Sequence, residues 1–222
     1  MARGVKFGDI HSWDNLDLIL EPFVVPPAIP KTNLLDIPAG DGSLDLTEAF
    51  KVVRYHDREL VFNFTVNPYS NKTFDEKITQ VSNALNGKAC NIILDRDPDY
   101  YWEGRCIVNE HLQDKMIGRI VVKAIVRPYK MKAEETVAEF DLTSDWKQVA
   151  LRNSKKIVAP TITCTNNGTQ VVYYNDVLDI SVSDTFDAGV HKDPYIQLTH
   201  GANLIQIAGT GTITFKYREG DL

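Results

Sequence analysis

Between Arg58 and Val66 apolar and polar residues alternate, with Leu60, Phe62, Phe64 and Val66 on one side. That is the period of a strand with one buried face. The period then changes. Phe74, Ile78, Val81 and Leu85 are spaced four, three and four apart, which is one face of a helix. Thr73 and Glu76 stand at capping-box spacing, and Gly87 stands where a left-handed residue closes a helix. The pattern predicts a helix from Phe74 to Asn86. Strands are expected before it at Val5–Phe7 and Leu16–Val25, with an extended run at Lys31–Ile37 and a turn-rich loop at Pro38–Gly42. After it they are expected at Asn91–Leu94, Trp102–Val108 and Gly118–Arg127, with turns at Asp95–Asp99 and Leu112–Lys115. Pro22–Pro30 contains four prolines. It lacks the donors of a central strand, so it reads as an edge or an extended arm. Strands around a single helix indicate an α+β fold on an antiparallel sheet.

Pro128–Thr136 is polar and breaks the alternation, which sets two domains, 1–130 and 131–222. Beyond the break no helical period appears. Strands are predicted at Val137–Leu142, Lys147–Leu151, Ile157–Cys164, Thr169–Tyr174 and Val177–Ser183. Three more follow at Tyr195–Thr199, Asn203–Ala208 and Thr212–Arg218. Asn167-Gly168 between two such runs reads as a hairpin turn, because both residue types tolerate positive φ. Short strands punctuated by turns indicate a β-sandwich. The fold class is therefore mostly β.

Composition narrows the function. The 222 residues are 43% hydrophobic, enough for a core, and carry a net charge of -6. An acidic balance gives no electrostatic footprint for gripping phosphates. No run reaches the roughly 20 apolar residues that span a bilayer, and Met1–Lys6 does not resemble a signal peptide. Folding in the cytoplasm is the expectation. Cys90, Cys106 and Cys164 are odd in number and scattered, which argues for reduced thiols rather than a disulfide framework.

Candidate chemistry mostly dissolves on inspection. Asp95, Asp97 and Asp99 resemble the start of a calcium loop, but such a loop needs Gly sixth and Glu twelfth. Tyr100 and Cys106 stand there. His11, His56, His111, His191 and His200 show no metal-ligand spacing. No nucleophile elbow, phosphate loop or dinucleotide fingerprint is present, and Gly209-Thr-Gly211 reads as a tight turn. No catalytic, metal or cofactor residue is assigned, and the binding residues are unknown. The aromatic cluster Tyr100, Tyr101 and Trp102 reads as packing. Tyr173 and Tyr174 support an alternative by analogy with other β-sandwich modules, a sugar-binding module for attachment to a cell wall.

Several segments together resemble a family. Asp36-Ile-Pro-Ala-Gly-Asp-Gly-Ser-Leu-Asp-Leu-Thr-Glu-Ala-Phe50 is similar to a loop and strand in tail proteins of phages that infect Gram-positive bacteria. The strand Arg58–Val66, the capped helix, Asn91-Ile-Ile-Leu-Asp95 and Tyr100-Tyr-Trp-Glu-Gly-Arg-Cys-Ile-Val108 follow in the order of the distal tail protein (Dit) of siphophages. Ile196–Tyr217 is similar to the closing hairpin of such proteins. Ala39 stands where a second glycine is expected. The resemblance implies a hexameric ring, single or as two stacked rings, at the distal end of the tail tube. The N-terminal domains would form the ring, and the C-terminal domains would be galectin-like β-sandwiches. Implied partners are the tail tube protein, the tail-associated hub protein and the receptor-binding protein. DNA would pass through the lumen without specific binding. The ring would be assembled in the host cytoplasm and carried at the virion tail tip, with no cofactor, no enzyme activity and no membrane contact.

Overall fold

The computed structural model describes residues 4–49, 51–114 and 117–222. Met1–Arg3, Phe50 and Lys115, which enter the sequence reading, lie outside those residues. The chain forms two compact units. One comprises the chain up to Pro30 with Tyr55–Ala133, and the other Lys31–Arg54 with Glu134–Asp221.

The first unit is an antiparallel sheet. Its order is Ile10–His11, Val5–Phe7, Ala89–Leu94, Asp97–Asp114, Ile117–Val126, Arg58–Val66 and Leu18–Leu20. Lys130–Lys132 pairs with Asp97–Asp114 off this path. The alternation of Arg58–Val66 does what it predicts: Leu60, Phe62 and Phe64 are fully buried beside Ile120, Val122 and Ala124. Burying one such large side chain contributes about 1.5–3 kcal/mol. The helix Phe74–Leu85 adds Val81 and Leu85 to this core. Its capping box forms as expected, with the Thr73 N–H donating to Glu76 Oε2 at 2.9 Å and the Glu76 N–H to Thr73 Oγ1 at 3.4 Å. The bond from Thr73 holds the Glu76 carboxyl below its usual range. Asn86 caps the other end, and Gly87 has φ +75°.

Strand limits differ from expectation in four places. Only Leu18–Leu20 of the Leu16–Val25 run is strand, because pairing with Arg58–Val66 stops where Pro22 can no longer donate. The Asp95–Asp99 turn is shorter than expected, and the strand resumes at Asp97. Pro98 is tolerated there because the ladder is irregular between Ile92 and Leu94. The strand also runs through Leu112 to Asp114, where a turn was expected. Within Pro128–Thr136, residues Lys130–Lys132 form a short strand.

The second unit is a β-sandwich. One sheet orders Thr136–Leu142, Gly211–Tyr217, Thr161–Cys164 and Gly189–His191. The other orders Lys147–Asn153, Gly201–Ala208, Thr169–Asn175 and Ile180–Phe186. One core joins them, with Ile162, Ile213 and Phe215 meeting Leu151, Val171, Ile205 and Ile207. Asn167-Gly168 is not a hairpin. Gly168 has the expected positive φ of +78°, but the strands it joins lie in different sheets. Gly209-Thr-Gly211 likewise links one sheet to the other. Turn chemistry fixes the local bend; it does not fix which strand the next one pairs with. Tyr195–Thr199 forms no strand, and Leu198 makes only an isolated bridge with Val158. The same unit carries a two-stranded hairpin, Leu34–Asp36 with Ser43–Asp45.

Candidate functional site

The hairpin is unusual for what it leaves uncovered. All six of its strand residues are exposed. Leu34 and Leu35 are 59% and 55% exposed, and Ile37 and Leu44 accompany them. Its turn fits the sequence Pro38-Ala-Gly-Asp-Gly42: Gly42 has φ +77°, and Ala39 is held at φ +61°. The glycine expected at position 39 would take that conformation without a Cβ penalty. The Ser43 hydroxyl donates to Asp36 Oδ1 at 2.6 Å, and the Asn33 N–H donates to Thr47 Oγ1 at 3.1 Å. Lys51 pairs with Asp179 at 3.1 Å. A two-stranded hairpin alone is marginal in water, and exposed leucines on one make it a candidate interaction surface. In the other unit, Pro22–Pro30 carries exposed Val24 and Ile29. That segment is tethered within its own unit by Phe23, whose ring lies 5.0 Å from Phe62, and by Arg58 donating to the Pro26 carbonyl at 3.1 Å.

A second candidate is a polar groove of about 400 Å³ on the sandwich, lined by Gln148, Tyr174, Asp176, Thr199, Leu204 and Gln206 among others. Strand alternation separates the two tyrosines singled out in the sequence. Tyr173 points inward and is buried, so it cannot meet a ligand. Its hydroxyl donates to the Gln197 carbonyl at 2.6 Å and accepts from Asn175 Nδ2 at 2.6 Å. Burial pushes its phenol up from the ordinary value. Asn203 joins the same network, donating to the Thr199 carbonyl at 2.9 Å. These buried bonds fix the groove floor. Tyr174, on the outer side of the same strand, is 62% exposed. An exposed ring flanked by amides and a carboxylate offers a stacking face and hydrogen-bond partners to a polyol.

Several of the remaining sequence candidates are occupied within the chain. Asp95 accepts from the Gly4 N–H at 2.6 Å and lies 3.1 Å from His11 Nε2, while Asp97 accepts from Lys130 at 2.7 Å. Asp95 and Asp97 are therefore held by different partners. Among the described residues no cluster of His, Cys, Asp and Glu could hold a metal ion. The Tyr100 ring lies under Lys130 Nζ at 4.1 Å, and Tyr101 and Trp102 are buried. No described helix is long and apolar enough to cross a membrane.

Among the described residues, one antiparallel sheet with a single capped helix, and a sandwich of eight strands, define the class of fold. Among solved structures the chain is similar to the Dit (gp 19.1) protein of phage SPP1, presented as a paradigm of hub adsorption apparatus in phages that infect Gram-positive bacteria. The likeness covers 98% of this chain and 99% of that one at a TM-score of 0.74, with 14% sequence identity. No family model matches the chain, and no curated protein matches it.

Proposed function

We propose that the chain is a structural phage tail protein. In this reading it forms a hexameric ring at the distal end of the tail tube and serves as baseplate hub. The observation that carries this reading is the end-to-end likeness to SPP1 Dit, which spans both units and leaves almost nothing of either chain over. The ring would link the tail tube protein to the tail-associated hub protein and the receptor-binding protein. It would be assembled in the host cytoplasm and carried at the virion tail tip. The division of labour is between a ring-forming N-terminal domain, 1–130, and an outward C-terminal sandwich, 131–222. No catalytic role is assigned.

The surface supports assembly. Exposed apolar residues Leu34, Leu35 and Leu44 stand on the Leu34–Asp45 hairpin. Repeated head-to-tail burial of one patch closes a ring when the rotation divides the circle. A net charge of -6 favours passage of DNA over adhesion to it. The paired substitution Leu35→Ser and Leu44→Ser tests the surface. It should weaken association at least tenfold while leaving the far-ultraviolet circular dichroism unchanged. Undiminished association would remove the hairpin from the interface.

The groove beneath Tyr174 favours a second reading, a sugar-binding module for cell-wall attachment. The expected result is that Tyr174→Ala abolishes retention on immobilised cell-wall glycan. Equal retention of both proteins would count against it.

A further inference from the structure

Cys90 and Cys106 are sixteen residues apart in sequence, and their sulfurs are 3.7 Å apart in the sheet. Cys90 lies opposite Gly104 on the neighbouring strand, and the Cys106 N–H donates to the Lys88 carbonyl at 2.9 Å. The two cysteines are thus diagonal cross-strand neighbours on one face. Cys106 is fully buried in the core, and Cys90 is half-buried at its margin. Both are free thiols, as is Cys164, which sits in the core of the other unit.

We infer that Cys90 and Cys106 form an oxidation site, a dithiol that closes to an intramolecular disulfide when the protein meets a hydroperoxide. The geometry sets the order of events. Cys90 is the less buried of the two. The sulfur–sulfur contact, in which either S–H can donate, pulls the Cys90 thiol below its ordinary value, and the same contact with burial pushes Cys106 up. With hydrogen peroxide, the Cys90 thiolate attacks, the O–O bond breaks, and Cys90 becomes a sulfenic acid with loss of hydroxide, which takes up the proton that the Cys90 thiol released and becomes the first water. Cys106 then attacks the Cys90 sulfur. The S–O bond breaks, its proton joins the departing hydroxide, and water leaves. Two thiols lose two electrons, and one peroxide is reduced to two waters. The sulfurs must close from 3.7 Å to about 2 Å, which side-chain rotation and a small strand shift supply. The bond would staple Ala89–Leu94 to Asp97–Asp114 and constrain the unfolded chain. None of this depends on ring formation.

The test uses the full-length protein, fully reduced and then treated with hydrogen peroxide. After denaturing alkylation and digestion, the peptides carrying Cys90 and Cys106 should be joined, lighter by two hydrogens, while Cys164 stays alkylated. The oxidised protein should melt at a higher temperature than the reduced one. Cys90→Ser, which replaces the less buried partner, should fold, leave Cys106 alkylatable and lose the peroxide-dependent shift. Recovery of Cys90 as sulfinic acid with Cys106 free would overturn the proposal, as would a Cys90 bridge between two chains.

Discussion

Lys77 is the helix residue that the hydrophobic period does not foresee. It lies on the buried face between Phe74 and Val81 and is fully buried. Its Nζ donates to the Leu16 carbonyl at 3.0 Å and to Asp17 Oδ2 at 2.9 Å. Asp17 reaches it from a left-handed backbone, φ +52°. A buried cation is tolerated because it is paired, and pairing is invisible in a hydropathy pattern. Tyr217 gives a prediction at the same scale. Its hydroxyl donates to the Arg152 carbonyl. Burial, helped by the nearby Glu219 charge, pushes its phenol from 10.0 up to about 12. The folded chain therefore holds this proton more tightly than the unfolded chain does. The resulting stability is intact below about pH 10 and is lost as pH rises to about 12. Tyr217→Phe should cost about 1 kcal/mol at neutral pH, and its gap from wild type should narrow through that window. Urea midpoints on both sides of the window measure it; a constant gap would contradict the assignment.

At the level of elements, the helix docks through a close approach. A Cβ at Gly118 would lie 2.4 Å from the Phe74 ring. Gly118→Ala should push the first helical turn off the sheet and cost about 1–3 kcal/mol. Denaturant unfolding checks this, and an unchanged midpoint would show the ring free to move. The helix itself was legible, because period, cap and closing glycine all agree. Arg58–Val66 was legible for the same reason, since one face is buried and the other is not. The Asn167-Gly168 link was not, because its turn chemistry is the same whether the next strand pairs with the last or crosses to another sheet. Of the two tyrosines, alternation from Val171 and Tyr173 inward could have placed Tyr174 outside. The Cys90–Cys106 pair required the register of two strands, which spacing alone does not give.

For the whole molecule, the central issue is whether the exposed hairpin is covered by another copy of the chain. Large apolar side chains left in water on a marginal hairpin are a liability for a lone chain. A closed ring removes that liability, and an interface of roughly 800 Å² per partner is enough to hold one. Light scattering behind a sizing column tests this most directly. On the proposed hexamer, six chains of 25.0 kDa should elute as one species of about 150 kDa, or twice that if two rings stack; a ring of any order is closed and finite. A single species of 25.0 kDa at every concentration would contradict the ring.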